Sequence, residues 1–214
     1  MQRIKDGFLD KIEETVPLAG LAVLEIGCGD GSRSVTIASR CKNLTAIEPD
    51  KEKLREAQSR QISNAVFENS SAEKLPFADK SFDIAIFTLS LHHVLINKMS
   101  VAIDEAVRVT KSSGYIIFLE PTENGTFFQS ELNFDACDGD ERQEKVAAYK
   151  TIRNHTGLKQ IKEENDETIF QFESVDDFIR SMNPKKNPEK LEEFLKQNKY
   201  ILSAKRRINI AQPR

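Results

Sequence analysis

The stretch VLEIGCGDGSRS, from Val23 to Ser34, places glycines at 27, 29 and 31, with Cys28 and Asp30 between them and Glu25 two positions before. Glycine lets a backbone approach a ligand without a Cβ clash and adopts positive φ freely, so a turn of this composition suits close ligand contact. Its chemistry is set by charge: Glu25 and Asp30 would repel a pyrophosphate and favour a ligand with cationic character. Glu48, in AIEPD, ends a second apolar run about 20 residues after Gly27, where a carboxylate can accept hydrogen bonds from both hydroxyls of a ribose. The dinucleotide fingerprint GxGxxG would require glycine at position 32, which is Ser32. An adenosine ligand without phosphates but with positive charge fits these residues, and S-adenosylmethionine, with its sulfonium and ammonium groups, answers that description.

Other residues carry weaker signals. The adjacent His92 and His93 raise the question of a metal or a general base. Neighbours on a regular element do not converge on one ion, and no carboxylate motif accompanies them, so no metal is expected. Cys28, Cys41 and Cys137 form no CxxC and are an odd count, which points to reduced thiols. Phe127, Phe128 and Phe134 lie in an otherwise polar stretch, where they either anchor it to the body of the protein or form an apolar lid.

These residues need a scaffold. The chain has 214 residues, 39% hydrophobic and 30% charged, enough for one sizeable core. Apolar runs followed by amphipathic helices alternate up to residue 121: GLAVLEI, NLTAIEPD, NAVFENS, SFDIAIFTLSL and YIIFLEP read as strands, with helices from about Ser32, from Asp50, and over MSVAIDEAVRVTKSSG to near Gly114. Such alternation builds a parallel sheet with ligands beyond the carboxyl ends of its strands. The expected fold is α/β, Rossmann-like: a seven-stranded, mostly parallel sheet with helices on both faces and an antiparallel last strand.

One domain over 1–214 is expected. An N-terminal helix would occupy 1–17, on the spacing of Ile4, Phe8, Leu9 and Ile12, and a cofactor-binding core 21–121. Residues 122–165, polar and with one helix from about Asp140 to His155, read as an insertion or lid over an acceptor site. Residues 166–214 would complete the sheet through ETIFQFES, two helices and YILSAKRRINIAQ. No apolar run reaches the roughly 18 to 20 residues of a membrane helix, and the N-terminus lacks a signal-peptide pattern, which suggests no membrane association and a cytoplasmic address. A net charge of −3 gives no overall attraction to a polyanion, and the basic triplet Lys205, Arg206 and Arg207 reads as the solvated face of a terminal strand, so nucleic acid is not the expected partner.

VLEIGCGDG, AIEPD, SSAEKLPFADKSFDIAIFTLSLHHV and AIDEAVRVTKSSGYIIFLEP resemble, in order and spacing, the successive motifs of class I S-adenosylmethionine-dependent methyltransferases, and within them the small-molecule subgroup that includes quinone-biosynthesis enzymes. The resemblance covers residues 21 to 121. It implies that the backbone of Gly27, Cys28 and Gly29 meets the cofactor's methionine and ribose parts, with Glu25 near the ammonium and Glu48 on the ribose hydroxyls. It further implies Pro49 against the adenine face, Ser71 and Ala72 at the adenine edge, and main-chain contacts from Phe87 and Thr88. The segment after the fourth strand would border the acceptor pocket, placing His92 beside substrate as a candidate catalytic base and His93 in a packing or capping role.

The sequence departs from the family at Ser71, where Asp is frequent, and at KSSG, where Lys-Pro-Gly-Gly is frequent. The activity implied is methyl transfer by direct displacement to a small-molecule acceptor, yielding S-adenosylhomocysteine. TLSLHH replaces the Asn/Asp-Pro-Pro-aromatic motif of enzymes that methylate amino groups on nucleic acid bases or protein glutamine. A non-catalytic S-adenosylmethionine-binding sensor, an RNA methyltransferase and a nicotinamide oxidoreductase are the competing readings. Glu25 and Glu48 also have structural alternatives, tying down backbone amides or capping a helix, with Asp50 the better-placed cap.

Overall fold

The computed structural model describes residues 1–214. Its elements in chain order are β1 (Gln2–Asp6), α1 (Phe8–Glu13), β2 (Ala22–Ile26), α2 (Ser34–Ala38), β3 (Asn43–Ile47), α3 (Lys51–Ser59), β4 (Ala65–Glu68), β5 (Phe82–Thr88), α4 (Met99–Val109), β6 (Thr110–Pro121), α5 (Thr126–Phe134), α6 (Arg142–Asn154), β7 (Leu158–Gln171), α7 (Val175–Met182), α8 (Pro188–Gln197) and β8 (Ile201–Pro213). One eight-stranded sheet runs β1-β7-β8-β6-β5-β2-β3-β4. Strands β2 to β6 pair in parallel, and β8 is antiparallel to both its neighbours, β6 and β7.

The parallel strands are apolar on both faces because helices cover both. Leu24 and Ile26 of β2 and Phe87 of β5 face one side, with Ala102, Ile103 and Ala106 of α4. Val23, Ile84 and Ile86 face the other, with Phe8, Leu9 and Ile12 of α1 and Ile37 of α2. A third cluster, Phe134, Phe172, Phe178, Leu195 and Leu202, joins α7 and α8 to the ends of β7 and β8. Chain connectivity reverses direction across β2 and β5, so the crevice beyond their carboxyl ends is the place for a ligand.

Four expectations are corrected. The sheet has eight strands where seven were expected, because residues 2–6 are an edge strand paired antiparallel to β7 instead of the start of a helix over 1–17. Ile4 is 45% exposed on that edge, so it never belonged to the apolar face of Phe8, Leu9 and Ile12. Helix α4 stops at Val109, short of Gly114. The β-branched Thr110 already pairs with Phe82, and Gly114 lies inside β6, where a Cβ would meet the Asp83 carbonyl oxygen at 2.4 Å. The region 122–165 holds two helices, α5 and α6, and the first half of β7, where one helix and no strand were expected. That half-strand, LKQIKEEN, carries ion pairs such as Arg153–Glu163 and Lys162–Glu14 in place of an alternating apolar face.

Candidate active site

The glycine turn is wired to the neighbouring strand. Gly27 N–H and Cys28 N–H both donate to the Ile47 carbonyl, at 2.9 and 3.0 Å, and Gly29 N–H donates to Glu48 Oε2 at 2.9 Å. Gly31 N–H is spent on the Cys28 carbonyl, and Ser32 N–H on Asp30 Oδ1. Gly27 sits at φ +76°, and a Cβ there would overlap Ser90 Cβ at 2.4 Å; Gly29 is at φ +57° with open space on its Cα. The amides of Gly27, Cys28, Gly29, Gly31 and Ser32 are therefore committed within the protein, and Asp30, held in place by Arg60, adds a negative charge.

The cleft at this turn has a volume of about 650 Å³, within the range of small-molecule sites. Gly27, Cys28, Gly29, Glu48, Pro49, Ser71, Ala72, Phe87 and Thr88 all line it. Glu48 is 8% exposed, and Oε1 also accepts from Asp50 N–H at 3.0 Å. Asp50 in turn caps α3 by accepting from the amides of Glu52 and Lys53. Asn69 fixes the corner by donating to the carbonyls of Glu48 and Pro49. Glu73 lines the cleft two positions after Ser71, supplying a carboxylate on the segment where Ser71 stands in place of the frequent Asp. Phe87 is fully buried and stacks on Phe118 at 5.1 Å between ring centroids. Cys28 is buried, and burial, with Glu25 and Glu48 nearby, pushes its thiol far up, so it is a filler of the turn and not a nucleophile.

Glu25 does not line the cleft. It lies fully buried behind the turn, accepting from the hydroxyls of Ser34 at 2.5 Å and Thr88 at 2.7 Å. Burial raises its pKa, and the two hydroxyls and Arg33 oppose that rise. Its partners are side-chain hydroxyls, not the backbone amides of the structural alternative, and they tie β2 to α2 and to the end of β5.

A second cavity of about 210 Å³ adjoins the first, and Arg33, Leu89, His93 and Asp138 line both. His92 lines the second cavity from a short 3-10 turn, Leu91–His93. Glu120, at the end of β6, organises this turn. Oε1 accepts from the amides of Ser90 and Leu91, and Oε2 is 2.5 Å from His92 Nδ1. With Nδ1–H assigned to Glu120, His92 Nε2 presents a lone pair, 3.9 Å from Glu141 Oε2. His93 Nδ1 lies 3.3 Å from Glu141 Oε1, an ion pair that raises the histidine pKa and, against the cost of burial, lowers that of the carboxylate.

The two histidines and Glu141 bring one ligating atom each within 4.8 Å of one another. The expectation that adjacent histidines cannot converge fails here because they sit on a 3-10 turn and the carboxylate comes from another segment. Glu141 is nonetheless already engaged by His93 and by Lys145, whose Nζ is 3.6 Å from it.

Lys145 of α6 is 5% exposed, 3.1 Å from Glu131 Oε2 and 4.5 Å from the centroid of the Phe128 ring. Phe127 and Phe128 line the second cavity, whereas Phe134 turns away into the third core cluster, so the three phenylalanines divide between the two roles foreseen for them. Sequence reasoning missed Glu120, Glu131, Lys145 and Arg33. Only Glu120 had a local signal: like Glu25 and Glu48, it is an acid interrupting an apolar run at a strand's carboxyl end. The basic triplet is a solvated face only at Lys205, which is exposed. Arg206 is 1% exposed and bonded to Asp166 and Asp6, Lys205 pairs with Glu167, and Arg207 stacks on Tyr149.

Comparisons agree with this architecture. Residues 24–118 match the family model described as a methyltransferase domain. The ubiquinone/menaquinone biosynthesis C-methyltransferase UbiE of Rickettsia bellii is 32% identical over 123 residues, covering 52% of this chain and 48% of that protein. The chain thus spans about half the length of the curated relatives it matches. Among solved structures, a Bacillus halodurans protein provisionally assigned as a methyltransferase superposes with a TM-score of 0.69 at 18% identity, covering 97% of this chain and 99% of its own. A SAM-dependent methyltransferase from Methanosarcina mazei gives 0.62 at 19% identity, covering 95% and 96%. No helix is long and apolar enough to cross a membrane. Residues 24–118 are thus similar to methyltransferase domains, and the chain shares its fold with the solved methyltransferase structures.

Proposed function

We propose that the protein transfers a methyl group from S-adenosylmethionine to a small-molecule acceptor. The observation that carries this reading is the wiring of the glycine turn: its amides are spent on Ile47, Glu48 and Cys28, and Glu48 and Glu73 face the same cleft. A pyrophosphate would find the amides of Gly27, Cys28, Gly29, Gly31 and Ser32 already bonded and two carboxylates against it, whereas an adenosine bearing a sulfonium and an ammonium is matched in charge. Glu48 would hold the ribose hydroxyls, Pro49 the adenine face, and Ser71, Ala72 and Glu73 the adenine edge, while Glu25 would act through Thr88 and Ser34 from behind the turn.

When bound, S-adenosylmethionine supplies an electrophilic methyl carbon and a neutral thioether leaving group. The protein's task is alignment and exclusion of water, worth about 7–11 kcal/mol in favourable cases. The lining that the two cavities share at Leu89, His93 and Asp138 is where acceptor and methyl would meet. His92 Nε2 would take the proton that an acceptor hydroxyl or acidic carbon loses, and Glu120 would stabilise the imidazolium and hold its tautomer, a contribution of roughly 10² to 10⁴ in rate. The relatives named as quinone-biosynthesis C-methyltransferases bring phenolic and quinol carbons into the set of acceptors to be tried.

The test is transfer of a labelled methyl group to phenols, quinols and hydroxy acids, with S-adenosylhomocysteine appearing in equal amount. Cofactor binding without transfer to any acceptor class would contradict the enzymatic reading and favour a sensor.

A further inference from the structure

The second cavity, which Glu131, Asp138 and Glu141 also line, has a cationic wall that the carboxylates around it only partly neutralise. Arg33, Arg3 and Arg206 all approach the single carboxylate of Asp6, at 3.9, 3.3 and 2.6 Å. Of the other acids here, Asp166 already pairs with Arg206 and with Lys11 at 3.3 Å, and Glu25, which also acts on Arg33, is bonded to Ser34 and Thr88. Four cations therefore share the ion-pairing carboxylates of Asp6 and Asp166, with no ion pair from Glu25 to Arg33. Arg33 has the poorest share: its side chain is 17% exposed, its one ionic contact is the 3.9 Å approach, and its Nε is buried without a hydrogen-bond partner. Nη1 of the buried Arg206 is likewise unpartnered. Burial, followed by the neighbouring Arg3, depresses the Arg33 pKa to about 10, as expected for an undercompensated guanidinium. Burying a charge without partners costs several kcal/mol, so such a group is retained at a cost unless a ligand pairs with it.

Arg33 and Arg206 line the same cavity as His92 and the rings of Phe127, Phe128 and Phe170. We propose that the methyl acceptor is an anion, an aromatic or otherwise apolar molecule whose carboxylate or phosphate docks on Arg33 and Arg206 while its nucleophilic atom faces His92. The proposal rests on the methyl-transfer reading of the site. The cofactor's own carboxylate is the other possible source of the same chemistry, because Arg33 also borders the cofactor cleft. Arg206 borders only the second cavity, which favours the acceptor. A planar guanidinium offers two parallel donors to either oxyanion, which a lone ammonium does not.

The experiment titrates benzoate, phenyl phosphate and the neutral isostere benzamide into the protein, alone and saturated with S-adenosylhomocysteine, and reads the unfolding midpoint and calorimetric affinity. At least one of the anions is expected to raise the midpoint and benzamide not to. Arg33→Met should weaken the anion at least tenfold, Arg33→Lys less, with S-adenosylhomocysteine affinity within twofold of the parent in both variants. Equal responses to benzoate, phenyl phosphate and benzamide, or response to none, would overturn the proposal. So would a tenfold loss of S-adenosylhomocysteine affinity in Arg33→Met with 5′-methylthioadenosine unaffected, since that would assign Arg33 to the cofactor's carboxylate. If S-adenosylhomocysteine does not bind the parent protein, the methyl-transfer reading falls, and the anion preference is still decided by the titrations without it.

Discussion

Replacing Glu48 by Gln tests the cofactor site where its geometry is most explicit. The carboxylate accepts from Gly29 N–H on one oxygen and Asp50 N–H on the other, and both oxygens keep lone pairs for hydroxyl donors from the cleft. Glutamine retains one acceptor and must turn its NH₂ against either a backbone N–H or a ribose hydroxyl. The charge-assisted bond to the ligand is then lost or weakened, and a hydrogen bond to a charged group contributes about 1.5–3 kcal/mol. The expected loss of affinity is about 10- to 150-fold at roughly 1.4 kcal/mol per decade. Calorimetric titration with S-adenosylhomocysteine and with 5′-methylthioadenosine measures it; both ligands carry the ribose, so both should weaken in parallel. Unchanged affinity for both would remove Glu48 from the site. A loss confined to S-adenosylhomocysteine would place it at the amino-acid end and refute the ribose assignment.

Three further substitutions probe the remaining parts. Glu25 has a folded-state pKa raised by burial, so the native state holds its proton more tightly than the unfolded chain does. Its contribution therefore favours folding most below pH 4.5 and is lost as pH rises through the raised value. The midpoint of Glu25→Gln should gain on the parent as pH rises above 4.5, while S-adenosylhomocysteine binds more weakly and methylthioadenosine does not; a midpoint that falls behind with rising pH would contradict the burial argument. Glu120→Gln should lower kcat and shift the pH–rate profile with S-adenosylhomocysteine affinity preserved, because the wild-type carboxylate fixes the His92 tautomer at 2.5 Å; an unaltered profile would deny the dyad a role in turnover. Lys145→Met strands the 7%-exposed Glu131 and should cost about 3–5 kcal/mol in urea unfolding, most of it recovered in Lys145→Met/Glu131→Gln; failure of the double variant to recover would show that Lys145 acts through packing on Phe128 instead.

What the sequence revealed and concealed divides along contact range. The parallel core was legible because β2, β3 and β5 are short apolar runs bounded by turn residues, and each strand–helix unit is local in sequence. The turn and Glu48 were legible because glycine spacing and an acid at a strand end are local patterns. Strand β1 was not, since four of its five residues are exposed and it is specified by pairing with β7, more than 160 positions away, and by ion pairs such as Asp6–Arg206. The His92 side of the site was hidden for the same reason. His92 is oriented by Glu120 across 28 positions, and Lys145 is neutralised by Glu131 across 14. Arg206, read as solvated, is buried against Asp6 at the opposite end of the chain. Side chains whose meaning depends on a partner brought by the sheet carry no signature of their own until that partner is placed. Glu120 was the exception that reading could have caught, since YIIFLEP repeats the pattern of VLEIG and AIEPD.

The most direct test of the central claim compares the thermal unfolding midpoint of the protein alone with that in S-adenosylmethionine, S-adenosylhomocysteine or NAD. A ligand at 100 times its dissociation constant adds about 2.7 kcal/mol of stability, enough to move the midpoint by several degrees. A rise with the two adenosyl sulfur compounds and none with NAD is the predicted result. A rise with NAD alone would contradict the reading of a turn whose amides are already spent.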